Sequence, residues 1–298
     1  MASWFLFALA AAMLWALDNI LDKRLLTGGR LSAYSYDILT NLNDILPALL
    51  IPLFLSIRYD PVFSWVAFLF GALIVFSLLY YNKAMMREEA SRIASFEWTS
   101  PIFVVILSYI IFGEVLSFWA YIGILLIVSG AFIISHKKRG KIIVSPVLRT
   151  IIVFSFLFAV GDIVSDFSLN YIDFWSFFFW ASAGSVAGSL SMLGFPKIRR
   201  GFLADIQNLK INIFLMVLAV SVIYYVAEVF FYAALSLGPV SLVVAVVAVQ
   251  PMFTFVYALL LSFYKPEFLK EQTDEFNIVT KLLGILTIMC GAGLIAVF

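Results

Sequence analysis

Two pairs of carboxyl groups lie inside otherwise apolar stretches of this sequence. Asp18 and Asp22 are four residues apart, and Asp162 and Asp166 repeat that spacing in a later stretch. Residues four apart share one face of a helix, so each pair is placed to bind a cationic group or a proton at a cavity wall. A carboxyl group in hydrocarbon costs about 2.5–3.5 kcal/mol on insertion scales, so its presence needs a reason. The alternative is structural: the pairs lie near helix ends and reach water or neighbouring lysine and arginine side chains.

A polar stripe occupies the next apolar stretch. Asp37, Asn41 and Asp44 recur at i, i+4 and i+7, which places them on one side of a helix. Within a membrane such a stripe must face protein or a water-filled cavity rather than lipid. It therefore predicts either a polar cavity wall or hydrogen bonds that join neighbouring helices.

Acidic and aromatic side chains recur in four other apolar stretches. Glu97 precedes Ser100-Pro101 by one turn, and because proline removes the donor for a carbonyl near residue 97, we expect a kinked helix beside this acid. Aromatic rings attract positive charge when water is excluded, so tyrosines among acids suit an organic cation. With 17% aromatic residues in the chain, many other rings simply pack or face lipid. The candidate substrate- or proton-binding residues are Asp18, Asn41, Asp44, Tyr81, Glu97, Asp162, Asp166, Tyr224, Glu228 and Gln250.

The chain offers little for catalysis or for cofactor and metal binding. Its single cysteine, Cys290, cannot form a disulfide within the chain, and its single histidine, His136, lies in a basic loop. These counts exclude a zinc site of cysteine and histidine ligands, and a Ser-His-Asp triad unless that loop histidine were recruited. No glycine loop with the phosphate-binding lysine pattern is present, and the net charge of +1 gives no reason to expect nucleic acid binding. We therefore expect neither an enzyme nor a bound cofactor.

Composition identifies the elements that must hold these residues. The 298 residues are 64% hydrophobic and 12% charged, with a mean hydropathy of +1.07, whereas soluble proteins contain about 25% charged residues. A membrane-spanning helix needs about 20 apolar residues, which predicts an all-α integral membrane protein with ten spans. We expect the spans near residues 3–22, 33–57, 63–86, 91–112, 116–135, 150–170, 174–194, 211–236, 241–264 and 278–297.

The sequence also repeats itself at four places in one order. The aligned pairs are 121–131 with 282–292, 100–103 with 250–253, 84–91 with 234–241, and Asp18/Asp22 with Asp162/Asp166. Agreement of this kind indicates two halves of five spans each, residues 1–140 and 146–298. Because five is odd, the second half must enter the membrane from the opposite side, which predicts inverted repeats around a central cavity.

The basic residues provide an independent prediction of topology. Of the 19 lysine and arginine residues, 18 lie in loops after odd-numbered spans, and only Arg58 lies on the other side. The positive-inside rule then places these loops in the cytoplasm and both termini outside the cell membrane.

These motifs resemble those of a known family. The run Ala84, Ser95, Ser100-Pro101, Phe112-Gly113-Glu114, Gly123 and Gly130 is similar to the EamA type of the drug/metabolite transporter superfamily. The second half keeps the proline and glycines but reads Phe263-Tyr264-Lys265 where the first has Gly-Glu. The resemblance implies a ten-helix basket with a central cavity and alternating access. It does not imply a substrate, because members carry amino acids, sugars, nucleotide-linked metabolites and toxic amphiphiles.

Glycines indicate which spans form the scaffold. Gly123 and Gly130 in the fifth span, and Gly284 and Gly291 in the tenth, leave smooth strips for close helix contact. We expect these two spans to support the others, which line the path. Glu114 directly follows a span, and we interpret it as a structural cap.

The sequence therefore predicts a secondary transporter, most simply an exporter, of small organic metabolites or amphiphiles. Two inverted halves would rock around a midplane site, with proton coupling as one option. The open alternatives are an uncoupled facilitator or exchanger and a channel-like permease. The expected partners are a small-molecule substrate and membrane lipids, and nothing in the sequence requires a homo-oligomer.

Overall fold

The computed structural model describes residues 3–28, 31–87, 93, 99–135, 146–264 and 275–297. All regular structure in these ranges is helical, and it comprises thirteen helices numbered in chain order. Their bounds are α1 Ser3–Thr27, α2 Ala33–Leu42, α3 Ile45–Phe54, α4 Phe63–Met85, α5 Ser100–Phe112, α6 Phe118–Ser135, α7 Pro146–Leu169, α8 Phe174–Met192, α9 Pro196–Gln207, α10 Ile211–Leu235, α11 Val240–Val247, α12 Gln250–Tyr264 and α13 Glu275–Val297.

The length and composition of these helices confirm an all-α, multi-pass membrane protein. Six helical stretches are long and apolar enough to cross a membrane, and α8 with α9, bent by 102°, adds a seventh if the pair is one span. α5, α6 and α13 are apolar but shorter within the described residues. Many large apolar side chains are exposed on the outside of the helices. Phe54 (80% exposed) and Leu73 (67% exposed) are examples, and such a surface suits contact with lipid. The number of ten spans stays a prediction.

One membrane-spanning stretch is broken between α2 and α3. Around Asn43 and Asp44 the helix gives way to turns, and the N–H of Leu46 donates to the carbonyl of Asn43 at 2.8 Å. Pro47 lacks the N–H that would reach this carbonyl in a continuous α-helix, which explains the break. The predicted polar stripe therefore continues across an interrupted helix.

A second break separates α11 from α12. α11 ends at Val247, and α12 begins at Gln250, directly before Pro251. Proline is favoured in the first turn of a helix and disfavoured further inside, so it fixes the start of α12. The related kink predicted beside Glu97 lies outside the described residues.

The pair α6 and α13 packs at the closest distance that helices allow. A Cβ atom built on Gly130 would lie 2.6 Å from the carbonyl oxygen of Gly284, and one on Gly291 would lie 2.5 Å from that of Gly123. Any side chain at these positions would overlap the facing backbone. The predicted close contact of these glycine strips is confirmed.

Helices from the first and second halves of the chain interlock at the centre. α1 packs on α10 and α12, while α7, which carries the second aspartate pair, packs on α4 and α5. The rings of Trp15 and Phe231 join α1 to α10 with centroids 5.2 Å apart. Phe63, at the start of α4, stacks on Tyr171, just after α7, with centroids 4.0 Å apart. These contacts enclose a central space between the helices.

Candidate functional site

An internal cavity lies among helices from both halves of the chain. It has two adjoining parts of about 790 and 680 Å³, open space included, and α1, α2, α4, α7, α8 and α10 contribute to its walls. The first lobe is the part lined by Asp18, and the second lobe is the part lined by Glu228. The side chains at their junction are Trp15, Asn41, Asp44, Leu78, Phe158 and Tyr224.

Carboxyl groups of α1 and α2 form one side of the first lobe. The hydroxyl of Tyr36 donates a hydrogen bond to Asp22. Asp37 is completely buried, and its Oδ1 accepts a hydrogen bond from Nδ2 of Asn82 at 2.9 Å. Asn41 donates from Nδ2 to the main-chain carbonyl of Asp37 at 2.7 Å, one turn before it. Side-chain hydrogen bonds therefore fix the orientation of this acidic wall.

In the same lobe, one polar atom of Asn19 and one of Asp37 have no hydrogen-bond partner among the described residues. Oδ1 of Asn19 accepts a hydrogen bond from the hydroxyl of Tyr81 at 2.7 Å, but its Nδ2 has no acceptor among the residues that the structure describes. Likewise, no described residue donates to Oδ2 of Asp37. Asn19 is 5% exposed and Asp37 is 0% exposed, so an unsatisfied hydrogen bond is costly at either position.

The second lobe holds an acid among phenol groups. The phenols of Tyr224 and Tyr232 lie against the carboxyl group of Glu228, and Tyr232 also faces Ser165 and Asp162. Glu228 and Asp162 are both buried. This arrangement brings a carboxyl group of α7 and one of α10 to the same side of the cavity.

Hydrogen bonds between the halves close the junction of the two lobes. Ser185 of α8 donates to Oδ1 of Asn41 at 3.2 Å. Asn43, at the break between α2 and α3, donates from Nδ2 to the hydroxyl of Ser221 in α10 at 2.8 Å. The broken stretch is therefore anchored to two helices of the other half.

The charge of the lining is entirely acidic among the described residues. Six carboxyl groups line the two lobes, from Asp18, Asp22, Asp37, Asp44, Asp162 and Glu228, and no described lysine, arginine or histidine does so. Lys23 lies next to Asp22 in the chain, but it donates to the carbonyl of Met85 at 2.5 Å. The cavity therefore offers carboxyl groups and no described basic side chain, which suits a cation or protons.

Eight of the ten residues predicted for the site line this cavity. They are Asp18, Asn41, Asp44, Tyr81, Asp162, Tyr224, Glu228 and Gln250. Glu97 lies outside the described residues. Asp166 is half-buried but does not line either lobe, and its carboxyl group faces Glu114 instead. The binding roles of all ten predicted residues stay predictions.

The sequence pattern missed several lining residues. Ser182 and Ser185 of α8 lie within a run of small residues, 181–189, so no spacing or residue type distinguishes them as cavity residues. Asn19 lies between the two predicted aspartates on α1, and an asparagine within an apolar stretch was a usable signal. Tyr36 directly precedes Asp37, but only its hydrogen bond to Asp22 distinguishes it from a packing tyrosine.

Glu114 fits the predicted structural role. It follows the left-handed Gly113 at the end of α5, and its Oε2 accepts a hydrogen bond from the hydroxyl of Ser241 at 2.9 Å. Ser241 belongs to α11, so this bond joins the ends of two helices. Asp166 of α7 lies near enough to Glu114 for the two acidic groups to act on each other as like charges.

The short helix α9 contacts α2. α9 is amphipathic and exposes Lys197, Arg199 and Arg200. Its Asp205 accepts a hydrogen bond from the backbone N–H of Ser32, the N-cap residue of α2, at 3.0 Å. Burial raises the pKa of Asp205, but hydrogen bonds from Ser35 and Ser32 outweigh it and hold the pKa below its ordinary value.

Comparisons with known proteins agree with this architecture. Residues 2–136 match the model of the EamA-like transporter family. A crystal structure that is 16% identical in sequence has a TM-score of 0.72, and the alignment covers 98% of this chain and 96% of that one. At this identity the likeness shows the fold alone. No curated protein matches the chain.

The resemblance inferred from the proline, glycine and acidic motifs is therefore confirmed. EamA proteins are transporters rather than enzymes, and the apolar helices described above are those of a multi-pass membrane protein. Residues 2–136, a little under half of the chain, therefore match the EamA-like transporter family, which is part of the drug/metabolite transporter superfamily.

Proposed function

We propose that this protein is a secondary transporter that exports small organic metabolites or amphiphiles by alternating access. The observation that carries the proposal is the acidic cavity, because helices of both halves form its walls. A site shared between two halves is exposed to one side or the other when the halves rock. The polar junction at Asn41 and Asp44 is the proposed centre of that site.

Ten spans in two inverted repeats, 1–140 and 146–298, belong to this proposal. Aligning the halves maps α1 onto α7, α4 onto α10, and α5 onto α12. The observed contact of α1 with α10 then corresponds to that of α7 with α4, and the contact of α1 with α12 corresponds to that of α7 with α5. The contact of α6 with α13 maps onto itself. This paired packing supports the inverted repeat.

Proton coupling rests on the two corresponding aspartates. Asp18 lines the first lobe, and Asp162, its counterpart in the repeat, lines the second. A carboxyl group in each lobe would let each state of the transporter exchange a proton with a different side of the membrane. Glu228, and Glu97 from the other half, are the proposed contacts for the solute. An uncoupled facilitator or exchanger is the alternative, in which these acids only bind the solute.

The proposed location is the cell membrane with both termini outside, on the basis of the lysine and arginine distribution. Replacing Cys290 by serine and adding a cysteine at position 298 allows labelling in intact cells. Labelling by a membrane-impermeant reagent in intact cells supports this topology. Labelling only after the membrane is broken would place position 298 inside the cell and contradict this topology.

Counterflow in proteoliposomes tests the function. A thermal-shift screen of metabolites against the purified protein selects the solute, and liposomes are loaded with its unlabelled form. We expect transient accumulation of labelled solute, which a carrier produces and a channel does not. Asp44→Asn should lose this overshoot, whereas Asp60→Asn, at an exposed turn before α4, should keep it. Simple equilibration by the unmodified protein would favour the channel-like permease.

A further inference from the structure

We propose that the first lobe binds a primary or secondary ammonium group next to a hydroxyl or carbonyl group of the same small molecule. The inference rests on the proposed transport function and adds the chemical class of the solute. It is carried by Nδ2 of Asn19 and Oδ2 of Asp37, which have no hydrogen-bond partner among the described residues, and by the acidic groups of the lining.

The charge of the lining selects a cation. Six described carboxyl groups and no described basic side chain line the cavity, so an anionic group on the solute would meet like charge without a counter-ion. A carboxylate on the solute would have no basic partner among the described lining residues, which favours an amine over an amino acid. This preference for a cationic solute applies to both lobes.

Asp37 adds a requirement for N–H donors. Its Oδ1 is occupied by Asn82, while Oδ2 has no donor among the described residues although the side chain is completely buried. Lys83 is the cation that faces Asp37, but it donates to the hydroxyl of Tyr34 at 2.9 Å and lies over that ring. A primary or secondary ammonium brings both the charge and the N–H that Oδ2 lacks, and a quaternary ammonium brings only the charge.

Asn19 adds a requirement for an acceptor. Its oxygen is held by Tyr81, so the orientation of the amide is fixed and Nδ2 is the end that no described residue accepts from. Asn19 and Asp37 line the same lobe, so one small molecule can satisfy both. A hydroxyl or carbonyl oxygen near the ammonium is neutral and accepts from Nδ2, which a simple alkylamine cannot do.

Aromatic side chains provide the remaining wall. Trp15, Tyr81 and Phe158 line the lobe, and Tyr81 packs against Phe154 with ring centroids 5.5 Å apart. Rings around a cation add attraction when water is excluded, and they accommodate an apolar group on the solute. The occupant is therefore a small amphiphile with a hydroxylated or carbonyl-bearing amine at one end.

Four matched probes test this inference by calorimetry on the purified full chain. Phenylalaninol carries an ammonium and a hydroxyl, 2-phenylethylamine only the ammonium, and phenylalanine an added carboxylate. The N,N,N-trimethyl form of 2-phenylethylamine has no N–H. We expect phenylalaninol to bind most tightly and 2-phenylethylamine more weakly. The trimethyl form should bind at least about tenfold more weakly than phenylalaninol because it loses a charge-assisted hydrogen bond. Phenylalanine should also bind at least about tenfold more weakly, because its carboxylate faces carboxyl groups and no described basic side chain.

Two variants locate the contacts. Asp37→Asn should weaken phenylalaninol at least about tenfold, and Asn19→Asp, which keeps the acceptor for Tyr81, should remove the preference for the hydroxyl. Asp60→Asn is the matched control and should bind as the unmodified protein does. If either cavity variant fails to fold, the order of the four probes on the unmodified protein decides the question.

The outcomes separate this inference from the proposed function. Equal binding of phenylalanine and phenylalaninol, or no binding of either ammonium probe, overturns the inference, even if counterflow of another solute shows that the protein is a carrier. Binding in the expected order without counterflow of phenylalaninol retains the site and contradicts transport of that class.

Discussion

The contact between α6 and α13 gives the sharpest prediction about stability. A Cβ atom at Gly291 would lie 2.5 Å from the carbonyl oxygen of Gly123 and 2.9 Å from Cγ1 of Ile127. The carbonyl belongs to the backbone of a packed helix and cannot rotate away, so the two helices must separate. Gly293, in the same helix, is exposed, and a Cβ atom there would meet no atom of the described residues within 4 Å.

Gly291→Ala and Gly293→Ala therefore make a matched pair. Both substitutions gain about the same helix propensity, up to about 1 kcal/mol, so their difference isolates the steric cost. Overpacking costs about 1–3 kcal/mol, and Gly291→Ala should be less stable than Gly293→Ala by about this amount. Thermal unfolding in one detergent, followed by circular dichroism, measures the order. Equal stability of the two variants would refute the close packing of these helices.

A stable Gly291→Leu protein with altered solute selectivity would instead place α13 in the path.

Two further predictions concern single carboxyl groups. Asp205 has a lowered pKa, so its bond to Ser32 stabilises the folded protein above the unfolded pKa of about 3.9 and is lost as the pH falls through the folded value. Chemical denaturation should show the unmodified protein to be more stable than Asp205→Asn from pH 7 down to about pH 4. This difference should vanish below about pH 4. A difference in stability that does not change with pH would contradict the prediction. Asp18→Asn or Asp162→Asn should abolish solute accumulation driven by a pH gradient while solute exchange continues in part. Flux of the unmodified protein that ignores an imposed gradient, with and without an ionophore, would end the coupling proposal.

Helical periodicity was sufficient to predict that Asp37, Asn41 and Asp44 lie on one side of the second span. Asp37 and Asn41 share a face of α2, and a hydrogen bond at 2.7 Å from the Asn41 side chain to the Asp37 carbonyl reflects their spacing of four. Asp44 still lines the cavity although the helix breaks before it. Spacing predicts which residues share a face, but it does not show which part of that face is open.

Asp166 illustrates that limit. It has the same spacing from Asp162 as Asp22 has from Asp18, yet Asp162 lines the second lobe and Asp166 does not. One turn further along α7, Asp166 instead faces Glu114, which follows α5 and is far away in the chain. Tertiary contacts of this kind leave no trace in a local pattern.

The central claim is that the cavity is a path exposed alternately to the two sides of the membrane. Ser182 lines the second lobe and is buried, and with Cys290 replaced by serine, Ser182→Cys is the only thiol in the chain. Labelling in sealed proteoliposomes with a membrane-impermeant maleimide, added inside or outside, measures its access. We expect the maleimide to label Ser182→Cys from each side. A pH gradient in one direction should raise labelling from one side and lower it from the other. Equal labelling from both sides under every gradient would contradict access that is controlled by the pH gradient, and no labelling from either side would remove the cavity from the path.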